Sequence, residues 1–289
     1  MANRIAVSLA PPDTGACLAA LRDLAPDVGM AEVRLDLMGS FDLPRLVRES
    51  PLPLIITCRP PREGGRFAGS EAERLDILSR AFDLGCAFVD VEWDSVAAFA
   101  GRRGAHTRLI ASRHWSDDMP ARLWPAYEEL SRKADAVKLV GMARRASDVL
   151  PVFDLLSRAG GPVVGIAMGE AGRVTRLLAP CFAPCLLTYG AQESGGATAP
   201  GQLTVREMVD LYHLNAVGPH TAVELHLCGS ADSCRAVVER NADVTPGEVL
   251  HVPLLASSAE ARTLAVGLRA CLPRLALRAE PPLSPADFI

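Results

Sequence analysis

Short apolar runs alternate with longer amphipathic segments through the first two thirds of the chain. Eight of these runs have the length and the β-branched content of strands. The predicted strands are Ile5–Leu9, Ala31–Leu37, Leu54–Arg59, Phe88–Trp93, Leu109–His114, Ala136–Val140, Val163–Met168 and Leu186–Tyr189. The predicted helices between and after them include Glu71–Leu84, Ala121–Lys133, Ala146–Ala159, Gly172–Leu178 and Thr204–Tyr212. Eight strands, each followed by a helix, within residues 1–214 predict an α/β fold of the (β/α)8 TIM barrel type.

Within several strands, polar and apolar residues occupy alternate positions, so that they lie on opposite faces. Glu32 and Arg34 share one face of their strand, and Lys138 lies between the apolar Val137 and Leu139. A half-solvated antiparallel sheet would give the same alternation. Helices between successive strands favour parallel pairing, which places the apolar face under the helices and the polar face inside the barrel. Because barrel interiors are usually apolar, charges gathered there indicate a functional site.

The pattern changes after Leu214. Residues 215–289 contain a predicted strand, Val249–Leu255, a predicted helix, Ser257–Ala270, and a proline-rich end from Pro281. We therefore predict two parts, a barrel at 1–214 and a small C-terminal α/β extension at 215–289.

Composition excludes several classes of partner. The chain has 30 basic and 34 acidic residues, a net charge of −4 and only 14 aromatic residues, which argues against binding to nucleic acid or to anionic membranes. It has no apolar stretch of about 20 residues, and because the first apolar run, Ile5–Ala10, is too short for a signal peptide, we expect none. The eight cysteines form no CxxC pair, so we predict reduced thiols, a cytoplasmic protein, no metal site and, without a G-x-G-x-x-G or Walker motif, no nucleotide cofactor.

Lysine is rare, since only Lys133 and Lys138 stand among the 30 basic residues. Burial would favour the neutral amine of Lys138, which is a nucleophile toward ketones and can form a Schiff base. The alternative is a lysine whose stem packs on apolar surface while its head reaches water. His114, one strand away on the same rim, is the candidate for proton transfer. The remaining histidines are placed in helix ends, loops or the tail and are given no role: His106, His213, His220, His226 and His251.

Further candidates lie in the loops that follow strands, where active sites of such barrels are built. Arg59 and Glu63 follow the third strand, and Arg176 and Gln202 follow the seventh and eighth. Taken singly, each could be a solvated surface residue. The segment 198–202 has the small and rigid residues of a closing lid, although an ordinary turn has the same composition.

Seven short motifs, in order along the barrel, resemble those of type I 3-dehydroquinate dehydratases, the Schiff-base enzymes of the shikimate pathway. They are Glu32-Val33-Arg34-Leu35-Asp36, Thr57-Cys58-Arg59 with Glu63-Gly64-Gly65, Asp90-Val91-Glu92, Ser112-Arg113-His114, Ala134-Asp135-Ala136-Val137-Lys138, Met168-Gly169 with Thr175-Arg176, and Ala199-Pro200-Gly201-Gln202. Each is weak alone, but their common order is specific.

The resemblance implies roles for individual residues. Lys138 would form an imine with the C3 ketone of 3-dehydroquinate, His114 would move the protons, and Glu63 would orient the imidazole. The substrate carboxylate would bind Arg176, assisted by Gln202 and Thr198, and the ring hydroxyls would bind Glu32, Arg34 and Arg59, with Ser8 as a further contact. No cofactor or metal is implied, and a homodimer is expected. Two positions depart from the family pattern: Thr198 replaces a more usual serine, and Trp115 follows His114 where Asp or Asn is usual.

The end of the chain resembles a second enzyme more faintly. Leu211–Leu214 and Val217–Thr221 look like the junction that joins the dehydratase to shikimate dehydrogenase in bifunctional proteins. Two later segments, Gly229–Asn241 and Val249–Leu255, resemble the start of a dehydrogenase substrate domain. The S-x-S substrate motif is missing, so we expect a truncated, degenerate remnant without dehydrogenase activity. Two alternatives remain for the barrel: another class I Schiff-base lyase or aldolase, and a non-catalytic relative that binds dehydroquinate.

Overall fold

The fold was analysed in a computed structural model that describes residues 4–24, 26–102, 106–193, 199–272, 275–281 and 283. The first eight strands are β1 (Ile5–Leu9), β2 (Met30–Arg34), β3 (Leu54–Thr57), β4 (Phe88–Glu92), β5 (Arg108–Trp115), β6 (Ala136–Met142), β7 (Val163–Met168) and β8 (Thr188–Gly190). The helices that accompany them are α1 (Thr14–Asp23), α2 (Leu43–Glu49), α3 (Glu71–Asp83), α4 (Trp124–Leu130), α5 (Leu150–Arg158), α6 (Arg173–Leu178) and α7 (Val205–Asp210).

These eight strands form one parallel sheet in the order β7-β6-β5-β4-β3-β2-β1-β8. A parallel bridge between Val163 and Cys185, just before β8, brings the two edges of the sheet together. The predicted (β/α)8 barrel is therefore confirmed. One detail differs from the prediction: β4 is followed by a single 3-10 turn, Val96–Phe99, instead of an α-helix.

Three predicted strands are too long at their carboxyl ends: Ala31–Leu37, Leu54–Arg59 and Phe88–Trp93 end at Arg34, Thr57 and Glu92. Residues Leu35–Leu37 wind into a 3-10 turn because the Asp36 carboxylate binds the Arg34 guanidinium and accepts hydrogen bonds from the backbone N–H groups of Arg59 and Arg66. These bonds replace the pairing that a continued strand would make, and they fix the loops that follow β2 and β3.

The interior of the barrel is divided into two levels. The lower level, here called the apolar floor, consists of Ala6, Ile55, Phe88, Ile110, Ala136 and Val164, which are all buried in one cluster. One or two side-chain layers higher, toward the carboxyl ends of the strands, the inward residues become charged. On the outer face Val33, Val89 and Leu139 are fully buried under the helices, as the alternation predicts.

Beyond the barrel lie β9 (Ala222–Cys228), α8 (Ala231–Glu239), β10 (Val249–Leu255), α9 (Ser258–Cys271) and β11 (Leu275–Glu280). The three strands form a parallel sheet in the order β10-β9-β11. Strand β10 has its predicted bounds and α9 begins one residue later than predicted, whereas β9, α8 and β11 were not predicted. The proline-rich end is described only at Pro281 and Leu283.

Helix α9 packs against the barrel helix α5. Its Leu264 and Leu268 are fully buried, and a Cβ at Gly267 would lie only 2.7 Å from the Leu150 side chain. The small residue thus permits a close helix crossing.

Two further observations concern membrane-spanning helices and disulfides. No helix within the described residues is long and apolar enough to cross a membrane. All eight cysteines are described, and none forms a disulfide.

Candidate active site

The carboxyl ends of the barrel strands surround a cavity of about 170 Å³. Every predicted site residue within the described part of the chain lines it: Ser8, Glu32, Arg34, Arg59, Glu63, His114, Lys138, Arg176 and Gln202. Thr198 lies outside the described residues. Side chains from seven strands or the loops after them thus converge on one space, at the end of the barrel where such enzymes carry their chemistry.

Lys138 extends from the middle of β6 into the lumen and is only 4% exposed. Its Nζ lies 3.0 Å from Asp90 Oδ2, 3.2 Å from Glu32 Oε1 and 3.2 Å from the hydroxyl of Tyr189. The two carboxylates stabilise a positive charge on this nitrogen, whether it is an ammonium or the iminium of a Schiff base.

Arg59 lies against the same carboxylates and is itself buried. Its Nη1 donates to Glu92 and Ser112 at 2.8 Å each, and its Nη2 donates to Asp90 at 3.0 Å. Burial alone would lower the pKa of this guanidinium, but the neighbouring carboxylates outweigh that effect and raise it above its ordinary value. Arg59 therefore remains a cation and neutralises part of the acidic charge around Lys138.

A third cation completes this buried cluster. Arg74, on α3, is fully buried and donates to the second oxygen of Glu92 and, at 3.0 Å, to the carbonyl of Cys58. Three buried carboxylates, of Glu32, Asp90 and Glu92, thus face three cations, and Arg74 also pairs with the exposed Glu71 at 2.6 Å. A balanced and hydrogen-bonded set of charges is the arrangement that makes their burial tolerable.

His114 ends the inward row of β5 and contacts Glu63 in two ways. Glu63 Oε2 accepts from the backbone N–H of His114 at 2.7 Å and lies 3.0 Å from its Nδ1, while Oε1 accepts from the indole N–H of Trp93 at 3.0 Å. Because both oxygens accept from groups that can only donate, Glu63 is best described as a carboxylate with a proton on His114 Nδ1. The Nε2 lone pair is then free for chemistry.

The electrostatic surroundings keep this imidazole neutral. Burial, followed by the positive charges of Arg59 and Lys138, lowers the pKa of His114 well below its usual 6.5. A neutral histidine in the cavity can accept a proton.

Trp115, one of the departures from the family pattern, lies outside this hydrogen-bonded group. The guanidinium of Arg113 is placed 4.3 Å from the ring of Trp93 and 4.7 Å from the ring of Trp115. This stack supports Trp93, which in turn donates to Glu63.

Arg176 contributes a cation with unused hydrogen-bonding capacity. It is 2% exposed, its Nε and Nη2 donate weakly to the carbonyls of Gly201 and Pro200, and its Nη1 is buried without a partner among the described residues. Burial and the nearby Arg173 lower its pKa to about 10. Arg34, in contrast, is paired with Asp36 at 2.7 Å. Arg176 is thus the cation of the cavity best prepared to bind an anion.

The loop before α7 approaches the loop after β7 very closely. Gly201 has a φ of +72°, and a Cβ there would lie 2.2 Å from the carbonyl oxygen of Gly169. The N–H of Gly169 donates to Pro200, and Gln202 Oε1 accepts from the N–H of Ala199 at 3.2 Å. Only glycine allows this contact, which holds Gln202 at the cavity wall.

Sequence reasoning assigned no role to three residues of the site, although Asp90 belongs to one of the seven motifs. Asp90 and Tyr189 both contact Lys138 Nζ, and Arg74 anchors Glu92. Asp90 occupies a position that alternation along its strand places toward the lumen, so the sequence could have indicated its place in the site. Tyr189 at the end of an apolar run and Arg74 in an amphipathic helix carry no such signal, because their partners come from distant parts of the sequence.

Fold and site together define a (β/α)8 barrel protein whose cavity is lined by a buried lysine and a neutral histidine. The chain belongs to the type I 3-dehydroquinase family, whose model matches residues 5–219.

Individual relatives agree with this assignment. The chain is 35% identical over 224 residues to the 3-dehydroquinate dehydratase of Desulfotalea psychrophila, covering 73% of this chain and 97% of that protein. It is 34% identical over 210 residues to the bifunctional 3-dehydroquinate dehydratase/shikimate dehydrogenase of Arabidopsis thaliana, covering 67% of this chain but only 34% of that longer protein.

Solved structures extend the likeness of fold. The 3-dehydroquinate dehydratase of Geobacillus kaustophilus aligns with a TM-score of 0.61 at 23% identity, over 72% of this chain and 89% of that chain. The dehydroquinate dehydratase and shikimate dehydrogenase of S. pombe AroM aligns with a TM-score of 0.62 at 22% identity, over 98% of this chain and 57% of that chain. The similarity of fold to the S. pombe protein therefore continues past the barrel.

Proposed function

We propose that this protein is a 3-dehydroquinate dehydratase of the shikimate pathway that works through a Schiff base on Lys138. The observation that carries the proposal is the convergence of a buried amine, a neutral imidazole and an incompletely paired guanidinium in one cavity. These three groups match the ketone, the acidic C–H and the carboxylate of 3-dehydroquinate.

In the first step Lys138 passes a proton to a neighbouring carboxylate and attacks the C3 carbonyl as the free amine. The same proton then leaves with the carbonyl oxygen as water, which gives a protonated imine. Asp90 and Glu32, both within about 3.3 Å of Nζ, stabilise the positive charge. The imine withdraws electrons from C2 and so acidifies its proton.

His114 Nε2 then removes the C2 proton, and the electron pair moves into the C–N system to give an enamine. The imidazolium returns that proton to the C1 hydroxyl, which leaves as water, and hydrolysis of the conjugated imine releases 3-dehydroshikimate and restores the amine. Glu63 holds the Nδ1–H throughout, so that the same Nε2 serves as base and as acid.

Arg176 is the proposed partner of the substrate carboxylate. Its buried Nη1 has hydrogen-bonding capacity that a carboxylate oxygen satisfies. Gln202 and Thr198 would assist it, while Glu32, Arg34 and Arg59 would bind the ring hydroxyls and Ser8 would add a contact. Arg59 already holds three cluster side chains, so we assign it mainly to charge balance.

Reductive trapping tests the proposal. Borohydride added during turnover of 3-dehydroquinate should fix one ligand per chain, and peptide mass mapping should place it on Lys138. Because Lys133 is the only other lysine, the Lys133→Arg variant is a matched control that should be trapped equally. An adduct elsewhere, or none on folded and ligand-bound protein, would contradict the proposal.

The same assay separates the two alternatives. Another Schiff-base lyase or aldolase would trap a ketone on Lys138 without producing the enone absorbance of 3-dehydroshikimate. A non-catalytic relative would bind dehydroquinate and produce neither signal.

A homodimer and a cytoplasmic location complete the proposal. The eight unpaired cysteines fit a reducing compartment, and the homodimer follows from the family resemblance. Sedimentation of the purified protein would test the dimer, and fluorescence microscopy of a tagged chain in its own host would test the location.

For residues 215–289 we propose a packing module derived from a dehydrogenase domain. Among the residues that the structure describes, all those that line the active-site cavity lie at or before Gln202, so removal of residues 220–289 should leave turnover in place. Loss of turnover in a truncated protein that still unfolds cooperatively on heating would refute this division.

A further inference from the structure

The extension carries a cluster of metal-binding side chains that the dehydratase chemistry does not use. Strand β9 places Glu224 and His226 two residues apart, hence on the same face of the small sheet. On β10, His251 is the register partner of Glu224. None of the three lines the active-site cavity.

Three ligand atoms of this cluster point toward one another. His226 Nε2 lies 3.1 Å from His251 Nδ1 and 3.8 Å from Glu224 Oε2, and His251 Nδ1 lies 3.6 Å from the same oxygen. Ligands about 2.0–2.2 Å from a tetrahedral zinc ion are separated by about 3.3–3.6 Å. Each side of the observed triangle is within about 0.2 Å of this range, so small side-chain rotations would bring the three atoms onto one face of such a tetrahedron.

A carboxylate behind His226 fixes which of its nitrogens faces the cluster. Two groups lie at Nδ1: Glu280 Oε1 at 2.7 Å, which can only accept when ionised, and Arg240 Nη1 at 3.2 Å, which can only donate. The shorter contact, to Glu280, places the proton on Nδ1. Arg240 donates to both oxygens of Glu280, at 2.8 and 2.9 Å, and so holds it ionised. The Nε2 lone pair is left facing the cluster, as in the carboxylate–histidine–metal arrangement of protein metal sites.

The other two ligands are also held in place. The side-chain amide of Asn241 bonds both the N–H and the carbonyl of His251, each at 2.9 Å. Arg278 pairs with Glu224 Oε1 at 3.1 Å and leaves Oε2 toward the histidines. His226 is fully buried, whereas the side chains of His251 and Glu224 are 13% and 28% exposed, so that an ion can reach them from solvent.

We propose that Glu224, His226 and His251 bind one zinc ion, with water as the fourth ligand. Two imidazoles and one carboxylate are a donor set that suits Zn²⁺ and excludes the hard cations, which prefer oxygen alone. The ion would join β9 to β10 and stabilise the extension, since an ion that binds only the folded state shifts the folding equilibrium toward it.

Calorimetric titration of the chelator-treated, full-length protein with Zn²⁺ tests the site. We expect one equivalent to bind and the melting temperature to rise. His251→Gln and Glu224→Gln should each abolish the stoichiometric binding, and Glu280→Gln should weaken it by about 10–100-fold. These residues are partly exposed, and circular dichroism would establish that the variants fold.

His106→Gln is the matched control, because His106 is an exposed histidine of the barrel part and its loss should leave binding unchanged. Substitution with Co²⁺ identifies the ligands: a site of nitrogen and oxygen donors gives visible d–d bands without a thiolate charge-transfer band. Absence of stoichiometric binding, binding retained in His251→Gln, or a thiolate band from the cysteines would each overturn the proposal.

Discussion

The substitution Asp90→Asn tests whether the charges under Lys138 depend on one another. Asp90 is fully buried and bridges Lys138 and Arg59, at 3.0 Å each. Asparagine keeps the shape but removes one of three negative charges, so that three buried cations face two carboxylates. Removal of one partner from a buried ion pair costs about 3–5 kcal/mol. We expect the free energy of unfolding to fall by that amount, and turnover to fall with it because the iminium loses its nearest counter-charge.

Asp94→Asn is the matched control for this experiment. Asp94 is exposed, and Arg62, its partner at 2.7 Å, also contacts Glu71, so the same chemical change should cost only about 0–1 kcal/mol. Urea unfolding followed by circular dichroism gives both values. If the two variants lost the same free energy, the reasoning about a mutually dependent buried cluster would be refuted.

The pH dependence supplies a second check on Asp90. The guanidinium of Arg59 and the amine of Lys138 overcome the effect of burial and hold the pKa of its carboxyl well below the ordinary 3.8. A carboxyl with a lowered pKa in the folded state contributes stability above its unfolded pKa and loses it as pH falls toward the folded value. The stability difference between wild type and Asp90→Asn should therefore be full at neutral pH and shrink below about pH 4.

Three further predictions concern catalysis. Lys138→Arg should leave a folded protein without turnover, because a guanidinium does not form an imine. Lys133→Arg should leave turnover unchanged. Steady-state assays compare the two variants, and residual turnover in Lys138→Arg would exclude the imine. Arg176→Gln should raise KM about 10–150-fold, the equivalent of losing a charged hydrogen bond of about 1.5–3 kcal/mol. An unchanged KM would show that Arg176 does not bind the substrate carboxylate. The acid limb of kcat/KM should lie below pH 6.5, because burial lowers the pKa of His114; a limb above that pH would assign the base to another group.

Much of the barrel could be predicted because a strand has a period of two. The parity of Lys138 and Glu32 indicates the lumen from sequence alone, and the structure brings both to one cavity. Strand ends were less predictable: Asp36 looked like one more inward residue, but its bonds to the N–H groups of Arg59 and Arg66 end the strand. Such bonds depend on loops that meet only in the folded chain.

The structure of the extension was less predictable from the sequence than that of the barrel. His226 was expected in a loop or tail, but it lies on β9. The expectation was wrong because Glu and His alternating with apolar residues are also common in irregular surface segments. Local spacing indicated no metal ligands there. The third ligand of the proposed site comes from the neighbouring strand, and only the register of β9 with β10 brings it near.

The apolar floor determines from which end of the barrel the substrate can reach Lys138. Ala6, Ile55, Phe88, Ile110, Ala136 and Val164 close the lumen beneath the charged cluster, so Lys138 is reached only from the carboxyl ends of the strands. In the proposed mechanism, that opening must admit the substrate and the water that hydrolyses the imine, and it must release the product. Substrate and product therefore share one route, and product must leave before the next substrate can enter.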